Sequence, residues 1–199
     1  MRRALAGAAL AVAGCASGPP PADWQLEARA ALAAFERHFL AGDTRLAEIE
    51  FARLRAAIAK TGRIDLAARA ELARCAVRTA SLDFDDCPGF ERLRADAGAE
   101  ELAYADYLAG RRERAAADEP LSRLVRAAVR LRAGRIAPPE IAEAIEIASA
   151  QGWRRPLVAW LEVEARRAEA AGERERAAQT RRRIGFVLGG EGGARGSGP

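Results

Sequence analysis

The chain has 199 residues, half of them hydrophobic and 30% charged, with 32 lysines and arginines against 28 acids for a formal net charge of +4. Lys60 is the sole lysine, so the positive charge is almost wholly arginine. That is the bias of a GC-rich genome, and the near balance of acid and base gives no footing for a nucleic-acid partner. Alanine, arginine and glutamate abound, all three are good helix formers, and the length suffices for one domain with a real core.

The first fifteen residues read Met1-Arg2-Arg3, an apolar run from Ala4 to Ala13, and Gly14-Cys15. Two arginines followed by about ten apolar residues form the charged and hydrophobic regions of a secretory signal. The run is too short to span a bilayer, which takes about 20 apolar residues, and Pro19, Pro20 and Pro21 stop its continuation. Val12-Ala13-Gly14-Cys15 resembles the lipobox of bacterial lipoproteins; the competing reading is an ordinary signal with a coincidental cysteine. The resemblance implies cleavage after residue 14 and acylation of Cys15 as the mature N-terminus. Each buried CH₂ adds about 0.8 kcal/mol, so several acyl chains give a durable anchor. Residues 1–14 are therefore expected to be a signal peptide, and 15–22 a lipidated cysteine with a proline-rich tether reaching about 20 Å. Ala16 and Ser17 lack the aspartate associated with inner-membrane retention in enterobacteria, so the expected address is the periplasmic face of the outer membrane, with the inner membrane as the alternative.

From Asp23 the pattern is helical. Asp23 reads as an N-cap, with Trp24, Ala28, Ala31, Phe35 and Phe39 at helical spacing and Gly42 as the stop. Asp43 can cap a second helix, whose stripe is Ala47, Phe51, Leu54 and Ile58, while Leu46 and Ile49 fall on nearly the opposite side. An apolar residue set on both sides predicts packing on both sides. A third helix from Ile64 to about Ser81 carries Leu66, Ala70, Ala73 and Val77 on one stripe and Ala68, Leu72 and Cys75 on another, and is expected at the centre of the fold.

The stretch Ser81 to Phe90 is irregular, with Asp83, Asp85 and Asp86 inside it. It lacks the ligand spacing of a calcium loop, and Asp85 or Asp86 is expected to cap a helix opening at Pro88. In an exported protein whose Cys15 carries lipid, Cys75 and Cys87 are left as one pair and a disulfide is expected. Two free thiols or a metal pair are the alternatives. Further helices are predicted over Pro88–Asp96, Ala99–Ala109, Pro120–Ala133, Pro138–Ala150, Arg154–Ala171 and Glu173–Leu188, several of them stopped by glycine. A glycine-rich tail, residues 189–199, has nothing to bury.

Helices of this length joined by short turns predict an all-α fold, an antiparallel helix-hairpin array over residues 23–188. The unit Trp160 to Leu188, two helices about an Ala170-Ala171-Gly172 turn, resembles a tetratricopeptide-type hairpin. The resemblance implies a short α-solenoid and no particular binding residues. The chain as a whole resembles the uncharacterised helical lipoproteins of proteobacteria.

His38 is the one histidine, and no nucleophile elbow or phosphate loop is written in the sequence. The expected role is accordingly not enzymatic and needs neither cofactor nor metal. It is a lipid-anchored periplasmic protein-interaction module, a scaffold or assembly factor of a cell-envelope complex, with a peptidoglycan-acting enzyme or its accessory as the alternative. Trp153 and Trp160, two helical turns apart, are the candidate contact ridge, against the competing reading that both indoles belong to the core, where large aromatics are usually buried. Arg181, Arg182 and Arg183 are a candidate docking patch for an acidic protein, anionic lipid or peptidoglycan, because Ala177, Ala178 and Gln179 one turn earlier supply no acid.

Overall fold

The computed structural model describes residues 20–113 and 117–189, and all regular structure among them is helical. The signal, Cys15 and residues 190–199 lie outside this range. Helices α1 (Asp23–Ala41), α2 (Thr44–Ala59) and α3 (Ile64–Ala80) follow the predicted bounds closely. Asp23 is the first helical residue and not the cap, which is Ala22; its carboxylate sits in the first turn, where the helix dipole favours negative charge. Asp43 caps α2 as expected, accepting from the Leu46 N–H at 3.2 Å.

The predicted Pro88–Asp96 helix is broken into the single turn α4 (Pro88–Glu91) and a 3-10 turn, Arg94–Asp96. Helices α5 (Ala99–Leu108), α6 (Pro120–Arg132), α7 (Pro138–Ala150), α8 (Arg154–Ala170) and α9 (Arg174–Gly189) follow. Gly189 belongs to α9 and not to the tail.

The glycine cadence has one physical cause. At Gly152, φ is +65°, a left-handed conformation that costs an L-residue energy. It lets Gly152 N–H donate to the Ser149 carbonyl at 3.0 Å and Trp153 N–H to the Ala148 carbonyl at 2.9 Å. These are the paired bonds of a Schellman cap, which satisfy carbonyls the ended helix leaves open. The same pairing closes α6 and α8. At the end of α3, however, the left-handed residue is Leu82, with φ +58°.

Two hydrophobic clusters make the core, and α3 stands between them. Its Ala70 and Val77 join Phe35, Phe39, Phe51 and Leu54 on the side of α1 and α2. Its Ala68, Leu72, Cys75, Ala76 and Ala80 join Phe90, Leu108, Leu124, Ile141 and Trp160 on the other. Both predicted stripes of α3 thus pack on a core cluster, Leu66 and Ala73 of the first being only half-buried.

The hairpin array also turns back on itself. Helix α8 packs on α7 and α9 and additionally touches α1. There Arg155 Nε donates to the Phe39 carbonyl at 2.8 Å, its second nitrogen reaches Thr44 Oγ1 at 2.6 Å, and the guanidinium lies 4.3 Å from the Phe39 ring centre. These bonds take up a carbonyl in the last turn of α1 and join residues more than 100 positions apart. The closed arrangement differs from an open stack, in which each hairpin touches only its neighbours.

Helix α2 departs from expectation. Its stripe of Ala47, Phe51, Leu54 and Ile58 is buried against α1 and α3, but Ile49 on the other side remains 47% exposed. Leu46 on that side is half-buried, so the second apolar face is only partly covered.

Gly152→Ala tests the capping argument, because nothing stands within 4 Å of an added Cβ and only backbone strain changes. It should cost about 1 kcal/mol, a fall of about 2–4 °C in Tm for a chain of this size; an unchanged melting curve would refute it.

Candidate interaction surface

The structure separates the sequence-predicted site residues. Trp160, predicted on a contact ridge, is fully buried on α8 and donates from Nε1 to the Ala80 carbonyl at 3.1 Å. The correction has a clear cause. Two turns of spacing put the tryptophans on one side of the chain, but in this fold that side faces α3, and burial suits so large a ring once its N–H has a partner. Trp153 precedes α8, is half-buried and packs against both core clusters. The pair forms no ridge.

The arginine patch is largely neutralised. Arg181 donates to Glu169 at 2.6 Å and Arg182 to Glu175 at 3.4 Å. The acids come from the antiparallel α8 and from two turns back, positions that an i,i+4 count does not reach. Arg183 has no ion pair among the described residues and lines a polar cleft of about 430 Å³ with Glu146, Glu164, Arg176, Gln179 and Thr180. In that cleft wall Glu164, though 6% exposed, is held by Arg167 at 2.9 Å and Arg176 at 2.6 Å. The Arg167 hydrogen bonds, then the charges of Arg167 and Arg176, keep its carboxyl below the ordinary range.

The loop after α3 is organised by ion pairs. Arg78 binds Asp83 at 3.0 Å and Asp85 at 2.9 Å, and Arg132 faces Asp86 at 3.6 Å. Asp85 also accepts from the Cys87 N–H at 3.0 Å, while the N-cap of α4, Cys87 itself, receives no side-chain cap. The expected capping by Asp85 or Asp86 is therefore replaced by bridging to Arg78 and Arg132. Cys75 and Cys87 stand at disulfide distance, with Cα atoms 5.8 Å apart. The Asp85 carboxylate comes within 4.8 Å of both sulfurs. His38 is half-buried near the end of α1.

One open apolar feature has no counterpart among the expected sites. A trough of about 570 Å³ runs between α2, the start of α3 and α4. Its α2 wall is Ala52, Ala56 and Ala59, and its α3 wall is Ile64 and Ala67, with Ile64 46% exposed. Arg55, Arg63 and Arg92 stand around it. Glu71 closes it from α3, 7% exposed, with Arg55 Nε at 3.9 Å and its carboxylate filling the space where a side chain on Gly89 would go. The signal in the sequence was the second apolar side of α2, which continues the line of these alanines.

Comparison with protein families, with curated proteins and with solved structures finds no match to this chain.

Two measurements check these contacts. Trp160→Ala should cost about 3–5 kcal/mol, as for other large buried side chains; a melting temperature that hardly moves would return Trp160 to the surface. Glu164→Gln probes the buried carboxylate. A folded-state pKa below the unfolded value of about 4.3 stabilises above that pH, and the benefit is lost as pH falls through the folded pKa. The variant should melt below the parent at pH 7, with the gap closing below about pH 4; equal melting at pH 7 would contradict this.

Proposed function

We propose that this chain is a lipid-anchored periplasmic protein-interaction module, a scaffold or assembly factor of a cell-envelope complex held at the outer membrane. The address rests on the signal and the Val12-Ala13-Gly14-Cys15 lipobox. Among the described residues no helix is long and apolar enough to cross a membrane. Export also suits Cys75 and Cys87, which an oxidising periplasm would keep bonded.

The observation that carries the binding role is the trough on α2 and α3. Isolated surface alanines are ordinary. A recess that joins Ala52, Ala56, Ala59, Ile64 and Ala67 under a charged rim is the form taken by binding clefts. The contact therefore moves from the tryptophans, which serve the core, to the outer side of the first hairpin. A small set of polar groups about an apolar floor orients a partner without chemistry.

Replacing Cys15 with Ser and fractionating the cells tests the anchor. The variant should keep its precursor length, uncleaved signal included, and be lost from the outer-membrane fraction. Membrane-bound protein of mature size would remove the lipid from the proposal.

A further inference from the structure

We infer that the trough between α2 and α3 receives an acidic amphipathic helix from a different protein, an inference that rests on the interaction-module reading above. Three observations combine. The first is the partly uncovered second face of α2. Ile49, Ala52, Ala56 and Ala59 are all exposed, and their spacing places them within one sector of the helix. Ile64 extends this surface across the turn at Gly62.

The second is shape. From Ile64 to Glu71 the α3 wall covers seven residues, about 10 Å, or two turns of a docked helix. An alanine floor permits axes to approach near the short end of the 8–10 Å range for packed helices. A bilayer suits this surface poorly, because membrane-surface contacts use protruding apolar side chains and the apolar floor here lies between helical walls.

The third is charge. Three arginines stand around the trough against one acid, Glu71. Arg92 has no ion pair among the described residues, Arg55 reaches only Glu71 at 3.9 Å, and Arg63 pairs with half-buried Asp65 at 2.5 Å. A second copy docking by the same face would set arginine against arginine, which is unfavourable. The chain's own remaining segments do not fit either. Residues 190–199 contain no large apolar side chain, residues 114–116 are Arg-Ala-Ala, and residues 1–19 contain no acid. An external helix with a narrow apolar stripe and flanking Asp or Glu matches floor and rim together. Glu71, which accepts no hydrogen bond among the described residues, gives such a helix a place for one donor side chain. This is helix-in-groove recognition, in which the apolar anchors hold and the flanking charges select.

The test uses the full chain in its own cells with p-benzoylphenylalanine at Ala56, irradiated, and the adduct peptide sequenced by mass spectrometry. The expected adduct is one segment of another protein with helical apolar periodicity and acidic flanks. Arg63→Gln combined with Arg92→Glu should lower its yield at least tenfold while the melting curve is kept, whereas Arg181→Glu should leave the yield unchanged. No adduct, an adduct to phospholipid, an adduct to a second copy, or a yield indifferent to the charge change would overturn the inference. The same probe at Phe186, exposed at the far end of α9, separates the two proposals. Protein adducts there with none at Ala56 would retain an interaction module and reject this groove, and adducts at neither would reject both.

Discussion

Everything in this fold depends on α3 having two apolar sides and therefore having to be covered on both. One layer of cover comes from α1 and α2 through their phenylalanines, the other from α5 to α8 through Leu108, Leu124, Ile141 and Trp160. Two such layers would be free to slide or part without a link, and α8 supplies it. Trp160 donates to the last carbonyl of α3, and Arg155 donates to a carbonyl in the last turn of α1. Both acceptors are carbonyls that a helix leaves open where it ends. A buried indole N–H without a partner would itself be costly. The clamp thus ends at helix termini, and the Phe39 carbonyl accepts both the Gly42 N–H of its own cap and Arg155 Nε.

The arginine bias serves this architecture at its buried acids. Glu101 on α5 is 6% exposed and meets Arg69 Nε at 2.5 Å. Glu164 on α8 is gripped by Arg167 and Arg176. In each case the charged head of the arginine stays near water while its fork reaches a carboxylate that the packing has nearly enclosed. The many exposed pairs elsewhere contribute little apiece, between about 0 and 1 kcal/mol. They account for how so charged a surface is tolerated, and the two clusters account for why the chain folds.

Against that background the outer side of α2 is the exception. Its inner stripe is closed, its outer stripe is only partly covered, and the trough beside it combines alanine, exposed isoleucine and arginine. On α9 Phe186 is 85% exposed, a single projecting ring near the end of the helix. The difference between the two places is concavity. A groove excludes water from a partner along its length, and a single projecting ring does not.

Apart from Pro88–Asp96, the helices were legible in the chain, because alanine-rich periodicity, proline at first turns and glycine past last turns are local signals obeyed locally. The sequence by itself also determined that α3 is central, since two stripes on one helix demand two neighbours, and that Cys75 and Cys87 can meet, since the loop between them is short. It did not reveal Leu82 in a glycine-like conformation, which the packing beneath the loop sustains. Only the tertiary structure decided the fate of Trp160, of Arg181 and Arg182, and of the second face of α2. Spacing shows that residues share a side of a helix but not what lies opposite, and the partners that matter, Ala80 for Trp160 and Glu169 for Arg181, come from other helices. The same periodicity that packs both stripes of α3 on a core cluster leaves one stripe of α2 partly bare, because only the assembled array fixes how many neighbours each helix receives.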